Sequence, residues 1–78
     1  MFDSETDLKK DFLIKVGSNV KKLREVAALS QFELAVEAGI PKNQVGRIER
    51  GEINTSIFVL KKIADALKIE ITEIFHNF

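Results

Sequence analysis

Apolar residues recur along this chain at helical spacing, broken by a few residues that start and stop helices. Phe12, Val16, Val20, Leu23 and Ala27 follow one another at intervals of 4, 4, 3 and 4, the period of one helical face, and predict a first helix from Phe12 to Ala28. Gly17 lies inside it at a cost of about 1 kcal/mol relative to alanine, so its opening turns are expected to fray or to start later. Residues 1 to about 8 are expected to stay mobile. In Ser30-Gln31-Phe32-Glu33 the serine can accept from the glutamate's backbone N–H while the carboxylate reaches back to the serine's own N–H. A second helix therefore starts at Ser30, and Gly39 ends it by taking the left-handed conformation. Ile40 is pushed out of helical geometry by Pro41, which presets the next helix, running to about Arg50 and closed by Gly51. Ser56 caps a fourth helix with Ile57, Leu60, Ile63, Ala64 and Leu67 on one stripe. Ile69, Ile71, Ile74 and Phe75 suggest a short fifth, although Ile69-Glu70-Ile71-Thr72 alternates as a strand would. The expected class is all-α.

Length and composition narrow the picture. Seventy-eight residues support one small domain, read as a folded unit over 12–78 preceded by an acidic, flexible extension over 1–11. With no cysteine, stability rests on apolar packing alone and the chain suits a reducing cytoplasm. Apolar residues make up 45% of the chain but never run long enough to span a bilayer, and the acidic N-terminus is not that of a secretory signal. Net charge is zero, which at first argues against nucleic acid, but its distribution is uneven. Residues 1–11 carry −2, residues 51–78 carry −1, and residues 12–50 carry +3.

The basic middle contains two helices too short to be stable alone, so they must pack steeply against the first and fourth. Leu34, Ala35, Ala38, Ile40, Val45 and Ile48 turn inward together, leaving Lys42, Asn43, Gln44, Gly46 and Arg47 on the outer face of the third helix, where no acidic residue is expected. This is a helix-turn-helix over residues 30–50. An α-helix fits the major groove, where arginine or lysine pairs with guanine and asparagine or glutamine with adenine. Gly46 is expected to let that face approach DNA closely.

Leu29-Ser30-Gln31-Phe32-Glu33-Leu34-Ala35, Ala38-Gly39-Ile40, Ile48-Glu49-Arg50-Gly51 and the following Leu-x-x-Ile-Ala-x-Ala-Leu helix strongly resemble the Cro/repressor-type helix-turn-helix family, the XRE family, over residues 20–75. The resemblance implies a compact five-helix, lambda-repressor-like DNA-binding domain and a sequence-specific transcriptional regulator. It places Gln31 on a phosphate and against the recognition helix, a role that helix N-termini also favour physically. By the same resemblance Lys42, Asn43 and Arg47 read base edges, and Gln44 reads a base or touches backbone. Arg50, Asn54 and Thr55 match the loop that grips the next phosphates, and Arg24 and Glu49 a structural ion pair between the first and third helices. Three departures stand out: Pro41 replaces the usual capping serine or threonine, Lys68 a common glycine, and Glu70 a common serine.

Other features have bland readings. His76 stands near the C-terminus with no second ligand or nucleophile, and Asp3, Asp7 and Asp11 read as a solvated tail rather than a cation site. No cofactor or metal is expected. Without a paired acid and base, a partnered nucleophile or a phosphate loop, the chain does not read as an enzyme. Phe58, Ile71, Phe75 and Phe78 are candidates for a homodimer interface, which would let two copies read half-sites one helical turn apart. With no room for a sensor domain, control is expected through concentration, degradation or a partner. Family members of this size include controller proteins of restriction-modification systems and antitoxins. The rival reading is a protein-interaction module of the same fold, such as an antitoxin binding its toxin with or without DNA; double-stranded DNA is the expected partner and a membrane is not.

Overall fold

The computed structural model describes residues 4–78. Among these, four α-helices and one 3-10 helix are present and no strand: α1 Glu5–Val26, α2 Gln31–Ala38, α3 Lys42–Glu49, α4 Ile57–Leu67 and the 3-10 helix Ile71–Phe75. The all-α class holds, with the expected fifth helix reduced to a 3-10 segment and the strand alternative excluded.

The largest departure from expectation lies at the start. Helix α1 begins at Glu5, seven residues ahead of the periodicity, so residues 5–11 are helical rather than a flexible extension. Ser4 caps it, its Oγ accepting from the Asp7 N–H at 3.2 Å. Glu5 and Asp7 lie in the first turn, where negative charge favours the helix dipole. Residues 5–11 carry few apolar positions, so capping and charge rather than burial define this end. Residues 1–3, with Asp3, lie outside the described residues.

Gly17 does not interrupt α1. It is buried where α1 crosses α3: a Cβ built there would lie 2.2 Å from the Ile48 carbonyl oxygen and 2.6 Å from that of Glu49. The glycine allows the two backbones to touch. Of the expected α1 stripe, Val16 and Val20 enter the core, Leu23 packs at its edge, and Phe12 stays 45% exposed.

Helix α2 carries both halves of its capping box, with Ser30 Oγ accepting from Glu33 N at 3.0 Å and Ser30 N donating to Glu33 Oε1 at 2.8 Å. Gly39, at φ +68°, ends it and turns the chain toward α3. Pro41 stands at the N-cap of α3 and provides no side-chain cap. Ser56 caps α4 by accepting from Val59 N at 3.1 Å. Leu60, Ile63, Ala64 and Leu67 fill the core against Leu34, Val45 and Ile74. Ile57, placed on the same stripe by spacing, is instead 68% exposed. The chain end is fastened to α1 by Asn19, whose Nδ2 donates to the carbonyls of Ile74 at 2.8 Å and His76 at 2.9 Å.

Lys68, standing where a glycine is common, ends α4 in the left-handed conformation at φ +60°. Left-handed backbone costs an ordinary L-residue about 1–2 kcal/mol, part of which glycine loses again through its freer unfolded chain. Lys68→Gly is accordingly expected to raise stability by about 0.5–1 kcal/mol, read as a higher urea midpoint at unchanged slope.

Candidate nucleic-acid interface

Helices α2 and α3 pack through Leu34, Ala35, Ala38, Ile40, Val45 and Ile48, all buried as the alternation of apolar and polar positions required. Burying that side of an eight-residue helix turns the other outward. Lys42, Asn43 and Arg47 are exposed on α3 and Gln44 is half-buried beside them. Gln31 at the start of α2, Arg50 at the end of α3 and Asn54 in the following loop are exposed as well.

A buried polar network sets the relation of these elements. Glu49 is the buried charged residue of the core region, and its carboxylate receives Arg24 Nε at 2.6 Å and Arg24 Nη2 at 3.1 Å, a two-pronged pair linking α1 to α3. Arg24 Nη1 also donates to the Leu29 carbonyl at 2.8 Å, fixing the link between α1 and α2. The hydrogen bond to Glu49 holds the Arg24 guanidinium still further above its already high range. The same carboxylate accepts from Gln31 Nε2 at 2.9 Å. Gln31 is thereby braced against α3 by a residue that is itself braced by α1.

Two assignments need correction. Gly46 does not open the outer face: it is buried, and a Cβ there would meet Arg50 Nη1 at 3.0 Å and Gln31 Oε1 at 3.2 Å. Its missing side chain makes room for those two polar groups rather than for a base. Thr55 does not present its hydroxyl to a phosphate; Oγ1 is buried without a hydrogen-bond partner. The residue lines a groove of about 220 Å³ between α1 and α4, with Phe12, Ile57 and Phe75.

Glu52, in the loop after α3, brings a carboxylate beside the outer face of that helix, a face that itself carries no acidic residue. Its carboxylate receives Arg50 Nε at 2.7 Å and Nη2 at 3.3 Å, and stands 3.8 Å from Arg47 Nε. The hydrogen bond from Arg50 draws the Glu52 carboxyl below its usual range and raises Arg50 in turn. Glu52 is not among the site residues read from the sequence. The signal was Gly51, since a left-handed residue after a helix folds the next residue back over the last turn.

Of the four residues offered for dimerisation, Phe75 and Phe78 stack on one another, while Phe58 makes no aromatic pair with them. Phe78 packs edge-on against Phe12 of α1, with ring centroids 5.2 Å apart, and against Phe75 at 6.0 Å. Ile71 is half-buried against the core. Phe58 is not part of that stack; its ring, 67% exposed, lies beneath Lys62 Nζ at 5.3 Å. The His76 side chain is exposed, Asp11 pairs with Lys15 at 3.5 Å, and the described residues contain no cluster of three His, Cys, Asp or Glu suited to a metal.

Comparison with known proteins places this arrangement. The HTH_3 helix-turn-helix family profile matches residues 20–74, from α1 to the 3-10 helix. The chain belongs to this helix-turn-helix family. It is 38% identical over 61 residues to the HTH-type transcriptional regulator SlrR of Bacillus subtilis, a match covering 77% of the chain and 40% of that relative. It is 36% identical over 68 residues to the control protein C.MunI of a Mycoplasma species, covering 86% of the chain and 92% of that protein. Among solved structures, the restriction-modification controller protein C.AhdI from Aeromonas hydrophila superposes with a TM-score of 0.82 at 40% identity, over 83% of this chain and 98% of the other. The helix-turn-helix chain thus spans under half of the regulator SlrR but nearly the whole of both controllers.

Proposed function

We propose that this helix-turn-helix protein is a sequence-specific DNA-binding transcriptional regulator in which α3 enters the major groove. The observation that carries this reading is the convergence, on one exposed face, of groove-reading side chains on α3 with the phosphate-binding candidates that flank it. Lys42, Asn43 and Arg47 supply donors matched to guanine and adenine edges, with Gln44 at the margin. Gln31, held by Glu49, and Arg50 and Asn54 lie where backbone contacts would fix the helix in register. Thr55, its hydroxyl buried, is left out of this set. The near full-length similarity to C.MunI and C.AhdI supports a controller-type regulator, acting in the cytoplasm by binding rather than catalysis. A homodimer suits this reading, because paired recognition helices would read two half-sites.

The test is titration against random duplex DNA and against the region upstream of the protein's own coding sequence at two salt concentrations. Affinity is expected to fall steeply as salt rises. Arg47→Ala is expected to lose about 1–3 kcal/mol of discrimination at one base pair while keeping most salt-dependent binding. Wild-type protein that is folded yet binds neither duplex at low salt would overturn the assignment.

A further inference from the structure

We propose that Glu52 determines specificity at this interface by positioning Arg47 and Arg50: it hydrogen-bonds Nε and Nη2 of Arg50 and attracts Nε of Arg47, leaving Nη1 of Arg50 and both terminal nitrogens of Arg47 outside its hydrogen bonds and available to DNA. The inference rests on the DNA-binding reading above. Three observations carry it. First, Glu52 is held in place by backbone geometry: Gly51, at φ +72°, turns the chain so that Glu52 N donates to the Arg47 carbonyl at 2.9 Å. Its carboxylate is therefore kept beside the last turn of α3 instead of wandering with a loop.

Second, the contacts are directional. Arg50 gives Nε and Nη2 to the carboxylate and keeps Nη1 over Gly46, beside Gln31. Arg47 turns Nε toward Glu52 at 3.8 Å. A guanidinium held from its Nε edge still offers its terminal nitrogens, the pair that a guanine O6 and N7 accept. Third, the side chains of Arg47, Glu52 and Arg50 are 50%, 45% and 58% exposed, so these ion pairs contribute little to the fold. A carboxylate fixed among the cations of a DNA-facing surface acts on binding. At the wrong sequence it repels phosphate and holds the arginines back; at the right one it keeps Arg47 aimed at the base.

The experiment compares wild type and Glu52→Gln on random-sequence duplex and on the tightest duplex that wild type selects from a random pool, across a salt series. Glu52→Gln is expected to bind random duplex about five- to tenfold more tightly, with a log-log salt slope steeper by about 1. The selected duplex is expected to gain nothing, so the specificity ratio falls by about the same five- to tenfold factor. In an Arg50→Ala background the effect of Glu52→Gln is expected to shrink by more than half, as a coupled pair requires. An unchanged specificity ratio, or a full effect without Arg50, would overturn the role of Glu52 while leaving the DNA-binding reading intact. Failure of wild type to bind any duplex would overturn both.

Discussion

Replacing Arg24 by alanine is expected to cost about 3–5 kcal/mol, the range for removing one partner of a buried ion pair. The Arg24 and Glu49 side chains are 11% and 2% exposed, and without Arg24 the carboxylate would keep only its bond from Gln31. The Leu29 carbonyl loses its donor as well. A domain of this size has a total stability of about 4–12 kcal/mol, so the loss is a large share of it and unfolds the variant outright if the wild type sits at the lower end. Thermal and urea denaturation followed by circular dichroism would measure the loss. The pairing makes the cause checkable: adding Glu49→Met, which removes the stranded charge at similar volume, should recover most of the stability. A single variant as stable as wild type, or a double variant no better than the single, would show that the pair does not hold α1 to α3.

Gly17→Ala is expected to be the second large loss, of about 3 kcal/mol or more, against the usual direction of this substitution. In an ordinary helix interior, glycine to alanine gains about 0.5–1 kcal/mol. Here the added Cβ would lie within 3 Å of three backbone atoms, the Ile48 and Glu49 oxygens and the Glu49 carbonyl carbon, none of which can swing aside as a side chain does. Relief requires α3 to move away from α1, stretching the Arg24–Glu49 pair. The melting temperature should drop by about 12–24 °C. A Gly17→Ala protein that melts at or above the wild-type temperature would show that the crossing has room to spare.

Much of this fold is legible in the chain because its signals are local. Ser30 and Glu33 specify the start of α2 within four residues, Gly39 and Gly51 the ends of two helices, and Ser56 the start of α4. The exposed face of α3 followed from apolar spacing, and the partnership of Arg24 with Glu49, 25 positions apart, from family resemblance alone. What stayed hidden depends on the opposite side of a contact. Gly17 reads as a weak point until the carbonyls of α3 are seen against it. Gly46 reads as outward-facing until Gln31 and Arg50 are found around it, and Thr55 as a loop donor until its hydroxyl is found buried. The N-terminal turns of α1 escaped notice because their residues are mostly polar, and periodicity detects only what is buried. The spacing of Phe75 and Phe78 likewise does not show that Phe12 of α1 stacks on Phe78, joining the two ends of the chain in one partly exposed aromatic group.

The crossing at Gly17 also bears on how a duplex would be accommodated. Helix α3 meets α1 backbone to backbone there, and the turn that follows α3 does so again at Gly51, where a Cβ would lie 2.9 Å from the Cα of Ile14. Carbonyl oxygens and main-chain atoms offer no rotamers to exchange, so α3 has no means of sliding or rolling on α1 to suit a particular step of DNA. In the proposed complex, fit would come instead from the side chains of Lys42, Asn43 and Arg47 and from the bending and twisting of the duplex itself. A rigid reader of this kind would discriminate among sequences partly by how readily they deform, including at base pairs that none of its side chains touch.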